Sequence, residues 1–344
     1  MKKVLGIISI LVVTQSMATP QGFKVISSDG GVTIYKKHSR GEQPDYIQEI
    51  DLTKGAKIEL RMGRIVEERK TWGKHKGRNP KIKRQSLKVV WTEAKKNNQN
   101  TVCVTNGQFF GTRGYPTTLA FPLKINGIEY DGYEEVYDSK HIALDIKSDR
   151  VEMNQFSYDD MPYLSKNAIV GLSTTVDMGR KTFKGRTFIG IADKNEDGIS
   201  ETILIYNSKM ASQKSAKDIL NAFGATDMMM LDGGGSSQLI CNGKSYVSSS
   251  RTIPQSIATI KGDNKVSTYE QKVNFVFENL EKRYSFYFPK GSSTKKNGSN
   301  FYRRYRVQGK YHYLYAYNKI MYYNIGSGWK KFYSVNDWYN YFKR

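Results

Sequence analysis

The sequence is poor in the residues that metal and thiol chemistry require. It holds two cysteines, Cys103 and Cys241, and four histidines, His38, His75, His141 and His312. There is no Cys-x-x-Cys and no His-Glu-x-x-His, and the histidines stand singly, which excludes the usual zinc-ligand spacings. Long hydrophobic runs are missing too. The apolar stretch at residues 4–13 falls well short of the roughly 20 residues that a transmembrane helix needs, and no later stretch is apolar enough to span. Acidic residues are scarce: 32 Asp and Glu face 54 Lys and Arg, a formal net charge of +22. A surface this basic expects anionic partners, such as phosphorylated glycans, an acidic cell surface or nucleic acid.

A chain of 344 residues can bury a sizeable core and hold one large domain plus a smaller one. Its start, Met1-Lys2-Lys3, an apolar stretch and then Ser16-Met17-Ala18, has the order of a secretory signal cut after Ala18. The mature protein is therefore expected to be secreted or periplasmic. No cysteine follows the cut, which argues against a lipid anchor. Export makes a Cys103–Cys241 disulfide possible. Two buried thiols are the alternative, because free cysteine packs as a small hydrophobe.

Along the chain, residues 22–60 alternate weakly between turn signals at Ser28-Asp29-Gly30-Gly31 and Lys54-Gly55, which predicts short strands. Residues 61–84 are charged and carry Gly73, Gly77 and Pro80, the pattern of an exposed loop. Leu87, Val90, Trp91 and Ala94 predict an amphipathic helix over 86–97. Asn126-Gly127 and Asn242-Gly243, each between apolar residues, are strong hairpin signals. Further hairpins are expected at 141–154 and 187–206, and a helix over 214–223 with Ser212 or Ser215 as cap and Gly224 as terminator. Many strands with few helices predict an α+β domain around a mixed β-sheet. The expected division is a signal peptide at 1–18, a main domain at 19–265 and a basic, aromatic-rich β module at 266–344.

The most informative stretch runs from Met228 to Ser237. Four apolar residues end on Asp232, followed by Gly233, Gly234, Gly235, Ser236 and Ser237. A short apolar run cut off by turn residues reads as a buried strand, with the carboxylate where the strand leaves the sheet. Three glycines let the backbone come close to a ligand and offer bare N–H groups. The same pattern recurs at residues 101–107, where an apolar strand ends on Asn106-Gly107.

Together with Arg186-Thr187 and Arg251-Thr252-Ile253-Pro254, these segments resemble the phosphodiester glycosidase family over roughly residues 22–261. Leu231–Ser237 matches the family's Leu-Asp-Gly-Gly-Gly-Ser-Ser signature. Asn106-Gly107-Gln108-Phe109-Phe110 departs from its Asn-Ala-Gly-Phe-Phe, with Gln108 where the family has glycine. The resemblance implies hydrolysis of a sugar 1-phosphodiester. Such a reaction needs a carboxylate beside an oxocarbenium-like centre and cations on the departing phosphate. On that basis Asp232 is the candidate nucleophile or base. Arg186 and Arg251 are candidate phosphate clamps, and Asn106 and Ser236 candidate partners of sugar hydroxyls or water. Gly107, Thr187, Gly233, Gly234, Gly235 and Ser237 would line the substrate.

Other signals compete. Asp193, Asn195 and Asp197 have the spacing that opens a calcium loop, but the closing bidentate acid is missing, so a hairpin turn is preferred and no cofactor is expected. Residues 290–344 carry twelve Lys or Arg against one acid, with sixteen aromatics, and Tyr311, Tyr313, Tyr315 and Tyr317 alternate. This tail, reached through a linker at 292–299, could bind a cell-envelope surface, or form a small tyrosine-rich core. A non-catalytic glycan-binding protein is one rival reading, supported by Gln108. A nucleic-acid binder led by the tail is another, which no named binding motif supports.

Overall fold

The computed structural model describes residues 19–37, 43–70, 78–112, 114–132, 140–148, 150–194 and 199–263, and five strands between 294 and 332. The expected signal segment 1–18, residues 71–77, Asn195 and Asp197, and most of 266–344 lie outside the described residues.

Strands β1 (Phe23–Asp29), β2 (Val32–Lys37) and β3 (Asp45–Asp51) form an antiparallel meander. Next come β4 (Lys57–Met62), β5 (Ile65–Lys70), β6 (Arg78–Ile82), helix α1 (Leu87–Asn97) and β7 (Thr101–Asn106). The middle of the chain gives β8 (Leu123–Ile125), β9 (Ile128–Tyr130), β10 (His141–Ile146), β11 (Val151–Gln155) and β12 (Asn167–Ser173). The long hairpin β13 (Lys184–Ala192) and β14 (Thr202–Ala211) precedes helix α2 (Gln213–Ala222) and β15 (Asp227–Met230). The main domain closes with β16 (Leu239–Cys241), β17 (Lys244–Val247) and β18 (Gln255–Ile260).

Two sheets result. One has thirteen strands, in the order β1-β2-β3-β14-β13-β15-β12-β8-β9-β6-β5, with β10 and β11 branching from β12. The other has five, in the order β17-β16-β7-β18-β4. Strand alternation explains how they stack. On β13 and β14, Ile189, Ile191, Ile203 and Ile205 join Val102, Cys103, Leu239 and Ile257 of the smaller sheet in one core. Phe188, Leu204 and Tyr206 point the other way, onto Ala216, Ile219 and Leu220 of α2. Helix α1 covers the outer face of the smaller sheet, with Leu87, Val90 and Ala94 on Val104, Ile240 and Ala258. The layers therefore run α2, large sheet, small sheet, α1. The central strands are buried on both faces, which is why Met228–Leu231 reads as an unbroken apolar run. Among the described residues no helix is long and apolar enough to cross a membrane.

Local chemistry accounts for the ends of these elements. Ser86 caps α1 by accepting from the Val89 amide, and Ser212, rather than Ser215, caps α2 by accepting from the Ser215 amide. Asn126-Gly127 and Asn242-Gly243 both carry positive φ at both positions, as a two-residue hairpin turn of this hand requires. The exposed loop expected over 61–84 is corrected: β5 and β6 pair there at the end of the large sheet. Charge concealed them, because edge strands carry Lys, Arg and Glu to prevent further pairing.

Part of the expected linker at 292–299 is also strand. β19 (Thr294–Asn297), β20 (Asn300–Val307), β21 (Lys310–Tyr317), β22 (Ile320–Asn324) and β23 (Trp329–Phe332) form a separate antiparallel sheet in sequence order. Tyr311, Tyr313, Tyr315 and Tyr317 occupy alternate positions of β21, with Tyr315 in register with Tyr302 and Tyr322.

Of the two alternatives for the cysteines, the structure takes the disulfide. Cys103 and Cys241 are register partners on β7 and β16, fully buried, and their bond closes a sequence separation of 138. Constraining a loop of that size in the unfolded chain stabilises the fold. Urea unfolding of a Cys103→Ala/Cys241→Ala protein should show a loss of roughly 2–5 kcal/mol against the oxidised wild type. Equal stability would mean that the bridge contributes nothing.

Candidate active site

Asn106 ends β7 and is almost fully buried. Its Oδ1 accepts from Thr187 Oγ1 at 2.8 Å and from the Gln238 amide at 3.1 Å. Its Nδ2 donates to the Asp232 carbonyl at 2.7 Å. One side chain thus joins β7, β13 and both ends of the triglycine loop. Asn106, expected to meet sugar hydroxyls or water, here bonds the chain with both side-chain atoms and ties down the Asp232 backbone.

Gly107 continues the hub. Its carbonyl accepts from the Asp232 amide at 3.1 Å, and its own amide donates to the Gln255 carbonyl. A Cβ at 107 would lie 1.5 Å from Gln255 Oε1, so any other residue there would have to displace the buried Gln255 amide. That Oε1 accepts from the Gln108 amide at 2.8 Å. The Gln108 side chain is buried and turned away from Asp232. Its Oε1 accepts from the Phe121 amide, and its Nε2 donates to the Pro122 carbonyl. Gln108 is not among the positive-φ residues, so the position does not demand glycine.

Behind Asn106 a polar network crosses between the sheets. Asn207 Nδ2 donates to Thr105 Oγ1 at 2.8 Å and to Thr187 Oγ1 at 3.3 Å, and Thr259 Oγ1 donates to Gln48 Oε1 at 2.8 Å. Thr187 and Ser237 are fully buried, with their hydroxyl oxygens 3.4 Å apart. Both were expected to line the substrate; the structure places both in this interior network.

Asp232 lies at the exit of β15, immediately after Leu231. Burial pushes its carboxyl up to about 6, and the Ser236 hydroxyl, Arg251, the Gly233 amide and Lys184 oppose that shift. Ser236 is fully buried, and its Oγ has no hydrogen-bond partner of regular geometry among the described residues. Gly234 has φ +60 with open space around it, so the loop tip is bare backbone. A Cβ on Gly235 would meet the Arg251 guanidinium at 3.1 Å, so that guanidinium lies against the loop. Gly233 and Gly185 press their backbones together on the other side, where a Cβ on Gly185 would meet the Gly234 carbonyl at 2.1 Å.

The two arginines differ in kind. Arg251, expected as a phosphate clamp, is exposed and forms no ion pair among the described residues. Arg186 is buried. Nε donates to Ala211, one terminal nitrogen to Met178, and the other to Gly179 and Thr182, all backbone carbonyls, at 2.6–3.2 Å. Arg186, expected as a phosphate clamp, here clasps the loop 178–182. Beside that loop, the first residue of β13 is a cation that the sequence did not single out. Lys184 is half-buried, passes over Gly179 with Nζ 3.5 Å from where a Cβ would stand, and acts on Asp232. Among the described residues no group of His, Cys, Asp and Glu could hold a metal ion. Asp193 of the calcium pattern is described, whereas Asn195 and Asp197 are not.

The raised carboxyl has a consequence for stability. Between about pH 4 and about pH 6 the native state binds more protons at Asp232 than the unfolded chain does, so stability falls as pH rises through that window. The deficit persists at higher pH. Asp232→Asn should therefore unfold at a higher temperature than wild type near pH 7.5 and differ little near pH 4. Equal shifts at the two pH values would show that the carboxyl is not desolvated.

The model of the phosphodiester glycosidase family matches residues 90–260, from within α1 to the end of β18. No curated protein gave a match. Among solved structures, the catalytic domain of zebrafish N-acetylglucosamine-1-phosphodiester alpha-N-acetylglucosaminidase, auto-inhibited by its pro-peptide, is similar at 14% identity and a TM-score of 0.43. That alignment covers 69% of this chain and 80% of that one. A hypothetical protein from Synechocystis is similar at 12% identity and a TM-score of 0.42, over 71% of this chain and 64% of that one. A putative exported protein from Burkholderia pseudomallei is similar at 11% identity and 0.35, over 67% and 75%. The segment built around Asn106, the Asp232 loop and Arg251 belongs to the phosphodiester glycosidase family.

Proposed function

We propose that this protein hydrolyses a sugar 1-phosphodiester in an anionic or cell-envelope glycan, outside the cytoplasm. The observation that carries this is a partly buried carboxyl, Asp232, whose charged form Arg251 and Lys184 favour, on a glycine loop whose tip is open. A phosphate monoester is a weakly basic leaving group, so the reaction needs charge stabilisation more than a proton donor. The bond from C1 to the phosphate oxygen breaks, and its electron pair leaves with the phosphate. Arg251 and Lys184 hold that growing charge, with the arginine fork matching two phosphate oxygens. Asp232 faces the positive side. As a base it takes a proton from the water that bonds to C1. As a nucleophile it forms a glycosyl ester that water then opens. The anomer of the released sugar separates these two courses. Ser236, whose hydroxyl lies beside the Asp232 carboxyl, would hold the water or a sugar hydroxyl.

Export rests on the order of residues 1–18, and the tail from 290 onward is assigned to anchoring on anionic glycan through its charge and aromatics. A glycan-binding protein without turnover is the second reading. Gln108 no longer favours it, because that side chain bonds the backbone at 121–122.

Phosphorus NMR of purified protein with a sugar 1-phosphodiester tests the proposal. A phosphate monoester and free sugar should appear, and Asp232→Asn should slow this on the order of a thousandfold. Removing residues 290–344 should leave turnover of a small diester intact and weaken retention on a polymeric anionic glycan. Binding without product would favour the second reading, and full turnover in Asp232→Asn would make the carboxyl structural.

A further inference from the structure

Beside the Asp232 loop lies a groove of about 600 Å³ that the reaction described above does not use. One wall is the start of α1, with Lys88 and Trp91. The other is the β16–β17 hairpin and the segment after it, with Ile240, Ser245 and Ser249. Its volume lies in the range of small-ligand sites.

The lining has one chemistry. Trp91 packs partly on the α1 core, has Lys95 Nζ 5.9 Å from its ring centroid, and is half-buried. Gly243 stands over its indole, with a would-be Cβ 3.8 Å from Nε1, so no side chain from the hairpin turn covers the ring there. Hydroxyls sit on both walls, none of the lining residues is acidic, and Lys88 is the charged one. An aromatic face flanked by hydroxyls suits a saccharide, whose apolar C–H face can lie on the ring while its hydroxyls bond the rim. The absence of lining acids suits a saccharide that carries phosphate.

The groove and the site share a wall one residue thick. Ser249 Oγ donates to the Gly235 carbonyl and accepts from the Arg251 amide. Gln238 reaches the groove, while its Nε2 donates to the Arg251 carbonyl at 2.9 Å and its amide to Asn106. The groove therefore opens next to Arg251, on the phosphate side of the scissile bond.

We propose that this groove binds the saccharide esterified to the phosphate, making Trp91 and the β16–β17 hairpin determinants of acceptor specificity. The assignment rests on the proposed phosphodiester cleavage, because Arg251 sets the orientation.

The test compares glucose 1-phosphate methyl diester with the same diester carrying maltotriose in place of methyl. Binding is measured by calorimetry in an Asp232→Asn background, so that neither probe is consumed. The maltotriose diester should bind at least tenfold more tightly. Trp91→Ala should remove that advantage and leave the methyl diester unchanged within about twofold, because only the longer diester reaches the ring. Ser245→Leu narrows the groove from an exposed strand position, leaves the α1 core untouched, and should do the same. Equal affinity for the two diesters, or an advantage kept in both variants, would overturn the proposal. Should wild type cleave neither diester, the cleavage reading fails by itself. The groove is then judged on free maltotriose: binding that depends on Trp91 supports it, and no binding overturns it.

Discussion

The site depends on a single side-chain amide. Asn106 accepts from Thr187 and from the Gln238 amide, and donates to the Asp232 carbonyl. Through those three bonds the last residue of β7 fixes where the triglycine loop leaves the large sheet and where it enters the small one. Buried polar groups are stable only when all partners are present, and a satisfied network then specifies one arrangement. The Cys103–Cys241 bond reinforces this geometry, because each cysteine lies three residues from an Asn106 partner in the hub, Asn106 itself on β7 and Gln238 on the loop side of β16. The loop can carry three glycines without losing position because both of its ends are tied.

What the hub holds in place is electrostatically unfavourable by itself. Burial disfavours the Asp232 carboxylate, and Arg251, Lys184 and the Ser236 hydroxyl only partly offset this. Sites that stabilise charge in a reaction are commonly less stable than they could be. The two cations reach the carboxyl by different routes. Arg251 lies along Gly235 from the segment after β17. Lys184 opens β13, directly after the loop that Arg186 clasps through three backbone carbonyls, with a fourth bond to Ala211 on β14. Arg186 therefore bears on the site at one remove, through the loop over which Lys184 passes.

Much of the fold was legible wherever local chemistry decides it. The Asn-Gly turns, the serine caps and the apolar run into Asp232 each announced their element. The rest is set by contacts across the chain. Arg186 looked like a phosphate ligand because its partners are carbonyls of residues 178–182, which leave no mark in a sequence. Lys184 stood two residues away with nothing to distinguish it from other lysines. Gln48 and Asn207 are polar residues inside apolar strands, and their inward positions could have flagged an interior network; Gln255, beside Pro254, carried no such sign. Charge on β5 and β6 read as solvent exposure, when it marked the end of a sheet. Gln108 shows the converse: a departure from a family pattern that looked disruptive is absorbed by turning the side chain inward, onto Phe121 and Pro122.

The central claim is that Asp232, Arg251 and Lys184 divide a phosphodiester between its sugar and its phosphate. A crystal structure of Asp232→Asn with an uncleaved sugar 1-phosphodiester tests it most directly. The phosphate is expected between the Arg251 guanidinium and Lys184 Nζ, with C1 of the sugar facing residue 232 and the Gly234 backbone alongside. A phosphate bound at Arg186, or a sugar seated away from the glycine loop, would contradict it.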